Sequence, residues 1–198
     1  MSAIAFAVIA VLVAAGPLTS LDQWSCDHLM PFAGKPGGPP AFLESVVPLF
    51  HAGWHPAGMA VAQLVTLPGQ VVVSFLLVGL GAWKLRAPGW IVAWIAAVVA
   101  EVVIRHVLTR PALYRGGVHV TAFDSSWPSG HALRCALVAA VLATAWPRLR
   151  EALAAWLVAA VVLLVLAGFH TPTDVAGGLL LGLLGWWAAR AARLLREP

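Results

Sequence analysis

Trp127-Pro128-Ser129-Gly130-His131 opens an apolar run that continues to about residue 147, and it carries the signals of a helix start beside a titratable side chain. Ser129 is a preferred N-cap. Pro128 and Gly130 shape a turn whose free amides, with the helix dipole behind them, favour an anion such as phosphate. His131 places an imidazole at the same mouth. A second opening, Phe169-His170-Thr171-Pro172-Thr173-Asp174, repeats the arrangement about 40 residues on. There Thr171 fits the cap, Pro172 the first helical position and Asp174 the capping-box place. His170 is left just outside the helix, and a carboxylate beside such an imidazole fixes its tautomer and raises its basicity.

Working outward, the composition decides the solvent. Hydrophobic residues make up 61% of the 198 and charged residues 10%, with a mean hydropathy of +0.90. A soluble domain carries about 25% charge, so the solvent is a bilayer, and the net charge of +4 requires no nucleic-acid partner. Apolar runs between charges and Pro/Gly punctuation predict an all-α, polytopic bundle of about six transmembrane helices in one domain over 1–198. The spans fall at about 3–19, 62–83, 90–108, 130–147, 151–169 and 172–190. The first lacks the early Lys or Arg of a signal peptide and reads as a retained anchor.

Cations set the orientation. Lys84 and Arg86 follow the second span, Arg148 and Arg150 the fourth, and Arg190, Arg193 and Arg196 the sixth, so those ends face the cytoplasm. Both histidine mouths then open outside the cytoplasm. Trp83, Trp90, Trp127, Trp146, Trp186 and Trp187 lie near span ends and read as an interfacial belt. The external loop of about 20–61 holds an apolar piece, 41–54, too short to span and suited to the interface. His51, His55, Glu44 and Asp27 there lack the tight spacing of a metal site. Cys26 and Cys135 differ in depth, which argues against a mutual disulfide.

Arg115 reads as a snorkelling residue, whereas Arg105 and Arg134 lie inside spans, where an ionisable group is expensive and usually paired or functional. Glu101 shares a helix face with Arg105 and is expected to pair with it.

Together, Arg105 with Arg110-Pro111, then Pro128-Ser129-Gly130-His131, then His170-Thr171-Pro172-Thr173-Asp174-Val175 resemble the type 2 phosphatidic acid phosphatase family of integral-membrane lipid phosphate phosphatases. The resemblance covers roughly residues 60–190. It implies His170 as the nucleophile that forms a phosphohistidine, Asp174 as its orienting carboxylate and His131 as the acid for the leaving lipid alkoxide. Ser129 and Gly130 would bind phosphate oxygens, Arg105 would replace the family's first-motif lysine, and Arg110 would be the nearby phosphate clamp. No metal or other cofactor is implied.

Two departures stand out. The family's first motif is Lys-x6-Arg-Pro, whereas four residues separate Arg105 from Arg110-Pro111. The Ser-Arg pair that precedes the third-motif histidine is replaced by Leu163-Leu164. Arg134, one turn beyond His131 on the same face, is expected to supply the missing phosphate-binding guanidinium. Three functions fit these features: a lipid phosphate or diphosphate hydrolase, a phosphotransferase through the same intermediate, or a non-catalytic lipid-binding or transport protein. The substrate expected of the first is a polyprenyl phosphate or diphosphate, phosphatidic acid or phosphatidylglycerol phosphate, in a bacterial plasma membrane.

Overall fold

The structure, a computed structural model, describes residues 2–30 and 55–194, and the 41–54 piece with His51 and Glu44 lies outside them. The bundle begins with α1 (Ser2–Ala14), which stops where Gly16 adopts φ +93 and Pro17 follows. The chain turns by 75° into α2 (Thr19–His28), so the start of the expected external loop is a helix, and the first apolar run is bent. The second run is also broken. α3 (His55–Thr66) begins earlier than expected, a short 3-10 turn follows at Leu67-Pro68-Gly69, and α4 (Val71–Leu85) leaves at 49°. Pro68 cannot donate to a helical ladder, which places the break.

α5 (Gly89–Val107) leads to a small hairpin, β1 (Tyr114–Arg115) antiparallel to β2 (Val118–His119), that the hydropathy pattern does not announce. Its turn is Gly116-Gly117, both at positive φ as a two-residue hairpin of this kind requires. α6 (Gly130–Ala145), α7 (Arg150–Leu166) and α8 (Pro172–Leu194) complete the chain. Among the described residues, three helical stretches are long and apolar enough to cross a membrane, or up to five spans if each bent pair counts as one. The expected fourth span, α6, is 16 residues, hence about 24 Å, short of a hydrocarbon core of about 30 Å. It lies at the centre of the bundle, with Leu133, Leu137, Val138 and Val141 buried, and ends just before Trp146-Pro147.

Outer faces carry exposed Leu76, Val92 and Val158, which suit lipid. Lipid tails are as apolar as Leu, so close packing rather than burial from water must hold such helices together. α8 supplies it with small residues. A Cβ on Gly178 would stand 2.3 Å from the Ser129 carbonyl oxygen, and one on Gly182 2.8 Å from Ala136 Cβ. The mouths of α6 and α8 are therefore side by side. Trp90 and Trp127 are in the core rather than in an interfacial belt: Trp127 packs against Gly177, and its indole Nε1–H donates to Thr173 O at 3.1 Å. Trp83 and Trp187 are exposed, as a belt requires.

Candidate active site

Three helices bring one end to the same place, the C-terminal part of α5 with Glu101 and Arg105 and the N-termini of α6 and α8, and the side of α2 joins them. Ser129 caps α6, its Oγ accepting Ala132 N–H at 3.2 Å. Its own amide donates to Asp174 O at 2.9 Å. The amides of Gly130 and His131 have no acceptor within the helix, the normal state of a first turn. At α8 the capping box forms as expected, with Thr171 N–H donating to Asp174 Oδ2 at 2.9 Å and Asp174 N–H to Thr171 Oγ1 at 3.3 Å. The imidazoles of His131 and His170 face each other with ring centroids 6.0 Å apart.

Asp174 is fully buried and crowded with donors. Ser126 Oγ–H donates to Oδ2 at 2.7 Å and Arg110 Nη1 to Oδ1 at 2.9 Å. His170 Nδ1 lies 3.7 Å from Oδ2, an ion-pair distance longer than a hydrogen bond, and it is buried with no hydrogen-bond partner.

The three guanidiniums divide sharply. Arg110 is 2% exposed in its side chain, and besides Asp174 it binds Thr171 Oγ1 at 3.2 Å and Asp22 Oδ2 at 2.5 Å. Asp22 also accepts from Thr173 N–H and Thr173 Oγ1–H. Arg134 is buried as well, with Nη1 on Glu101 Oε2 at 2.8 Å and Nε on Gly69 O at 2.6 Å. Arg105 is 31% exposed and leans over the turn, Nε to Pro128 O at 3.3 Å and Nη2 to Ser126 O at 3.2 Å. Glu101 Oε1 is 3.5 Å from it, so the expected pair exists but is shared with Arg134.

A family model, the PAP2 superfamily, matches residues 91–197. The chain belongs to the PAP2 superfamily. Its fold agrees: the transmembrane PAP2 type phosphatidylglycerolphosphate phosphatase from Bacillus subtilis superposes with a TM-score of 0.65 at 17% identity, covering 99% of this chain and 96% of that one. Among curated proteins, none matches the sequence. The chain is accordingly a helical membrane protein of a phosphatase superfamily.

In this PAP2 protein two of the arginines are paired with buried carboxylates. Arg110 is paired through Nη1 and Nη2 with Asp174 and Asp22, while its buried Nε has no hydrogen-bond partner among the described residues. Arg134 is on the face of α6 predicted for it, and its guanidinium is held by Glu101 through Nη1 and by Gly69 through Nε. Leu164, at the place of the third-motif arginine, is fully buried against Ala132 and Val175, so the replacement is apolar packing. Arg115 is tethered, Nη1 to Cys26 O at 2.9 Å, rather than snorkelling freely. Cys26 and Cys135 are free and buried. No cluster of three His, Cys, Asp or Glu suited to a metal occurs among the described residues. Asp22 and Ser126 were not legible as site residues: Asp22 reads as loop, and Ser126 has no motif around it. A cavity of about 520 Å³ lined by Trp83, Lys84, Arg86 and Ile91 lies at the other end of α4 and α5, away from this chemistry.

Proposed function

We propose that the chain hydrolyses a phosphate or diphosphate monoester of a lipid through a phosphohistidine on His170. The observation that carries the reading is the pair of imidazoles 6.0 Å apart at two joined helix mouths, one beside a buried carboxylate and the other beside a capped anion turn. His170 Nε2 attacks phosphorus, with Asp174 holding the Nδ1–H side of the ring. The bond from phosphorus to the lipid oxygen breaks, and His131 gives its proton to the departing alkoxide. Water then attacks the phosphohistidine, His131 takes a proton back, and the P–N bond breaks to release the phosphoryl product.

Arg105, the amides at Gly130 and His131 and the Ser129 hydroxyl hold the equatorial oxygens, where charge develops. Arg105 is assigned this duty because it is the least buried of the three guanidiniums. These groups supply positive charge without a metal ion. The lipid tail stays in the bilayer, which suits a polyprenyl phosphate or diphosphate, phosphatidic acid or phosphatidylglycerol phosphate. Lys84, Arg86, Arg148, Arg150 and Arg190 lie at the helix ends opposite the histidines, supporting a site on the outer face of a bacterial plasma membrane.

The test of the intermediate is a rapid alkaline quench of the protein with radiolabelled lipid phosphate, followed by peptide mass spectrometry. Label on the His170 peptide is expected. Label elsewhere, or none during active turnover, overturns the mechanism.

A further inference from the structure

Asp22 lies outside the matched region, on a helix that hydropathy alone would leave as a loop, yet it enters the site. Three features seat it there. Gly16, at the bend between α1 and α2, packs on Pro111, where an added Cβ would be 3.3 Å from Pro111 Cγ. Gln23 and the Tyr114 backbone exchange two hydrogen bonds, Gln23 Nε2 to Tyr114 O at 2.5 Å and Tyr114 N–H to Gln23 Oε1 at 2.9 Å. Arg115 reaches back to Cys26 O. α2 is thus pinned along the segment that begins with Arg110, and its buried carboxylate points at that guanidinium and at Thr173.

The charges then decide what Asp22 does. Arg110 is one cation between two buried carboxylates, Asp22 at 2.5 Å and Asp174 at 2.9 Å. Such a triad carries one net negative charge with both carboxylates ionised, and the His170 imidazole lies 3.7 Å from it, at Asp174. With Asp22 neutral, the full charge of Arg110 would fall on Asp174 and weaken its pull on the imidazole. The other charged groups nearby are Arg105, Glu101 and Arg134, across Ser126 and Pro128, and His131 opposite His170. Asp27, on α2 itself, accepts from Gln23 Nε2, and Arg115 is turned to Cys26 O.

We propose that Asp22 is a positioning residue: by sharing Arg110 it keeps the Asp174 carboxylate available to orient His170 and sustain its basicity. The inference rests on the reading of His170 as nucleophile, and its test has one arm that does not need turnover. In the full chain in detergent, labelled with carbon-13 at histidine Cε1, the His170 resonance is assigned with His170→Ala and followed from about pH 5 to about pH 9. In Asp22→Asn the titration midpoint of His170 falls by about one pH unit, while an unchanged midpoint overturns the proposal.

In the activity arm, Asp22→Asn lowers kcat about tenfold and leaves KM within about threefold, with the acid limb of the kcat profile moved to lower pH; loss in KM alone contradicts it. Absence of turnover in the wild type would sink the hydrolase reading, and the resonance would still decide the role of Asp22. If Asp22→Asn does not fold, Asp22→Ser takes its place, with the same expected fall in midpoint and the same overturning result. In an Arg110→Gln background, where there is no cation to share, the Asp22 substitution is expected to leave the midpoint unchanged, and a further fall there overturns the proposal.

Discussion

The amide of Ser129 donates to the carbonyl of Asp174 at 2.9 Å, so the two helix mouths that carry the histidines are a single hydrogen-bonded unit. Neither α6 nor α8 can shift its first turn without breaking that bond or driving Gly178 into the Ser129 carbonyl. The backbone positions from which His131 and His170 project are therefore tied to each other.

Gly130 is the least replaceable residue of the turn. An added Cβ would lie 2.0 Å from Glu101 Oε1, and that carboxylate cannot swing aside because it is held between Arg105 and Arg134. Gly130→Ala should cost about 1–3 kcal/mol through overpacking and lower the apparent Tm in detergent. An unchanged Tm would show that Glu101 is free to move.

Arg105 and Arg134 should separate by kind of defect. Arg134→Ala leaves Glu101 short of a buried partner and the Gly69 carbonyl without its donor, a loss of about 3–5 kcal/mol if the pair behaves as buried pairs do. The measurement is the fraction of monodisperse protein on size exclusion. Arg105→Ala should fold and raise KM about tenfold or more, since a charge-assisted contact to phosphate is lost. Normal folding of Arg134→Ala with a raised KM would return Arg134 to the phosphate pocket.

His131 should matter in proportion to the basicity of the leaving group. His131→Ala is expected to slow release from a lipid alkoxide by about 10²–10⁴-fold, and much less from an aryl phosphate, whose phenolate needs little protonation. Equal losses on both substrates would remove the role of acid from His131.

Much of this was legible in the sequence, because it is local. The Thr171/Asp174 capping box and the Ser129 cap depend on residues within one turn, and both form as their spacing requires. The spans follow from hydropathy, but the angles at Gly16-Pro17 and Pro68-Gly69 do not, and the polar composition of α2, Thr19–His28, hides the helix that carries Asp22 from a hydropathy pattern. Trp127 looked interfacial because depth cannot be distinguished from burial along one chain. For Arg110 and Arg134 the helix faces alone were insufficient: their partners come from residues 88 and 33 positions away, on other elements.

The central claim is most directly tested by phosphate release from wild type and His170→Ala in detergent, over a panel of lipid mono- and diphosphates with EDTA present. Release by the wild type, abolished in a folded His170→Ala, is the expected result. Release that survives in His170→Ala, or that stops with EDTA and returns with a divalent ion, would contradict it. A wild type that binds these lipids and releases nothing would leave a membrane anion site without turnover.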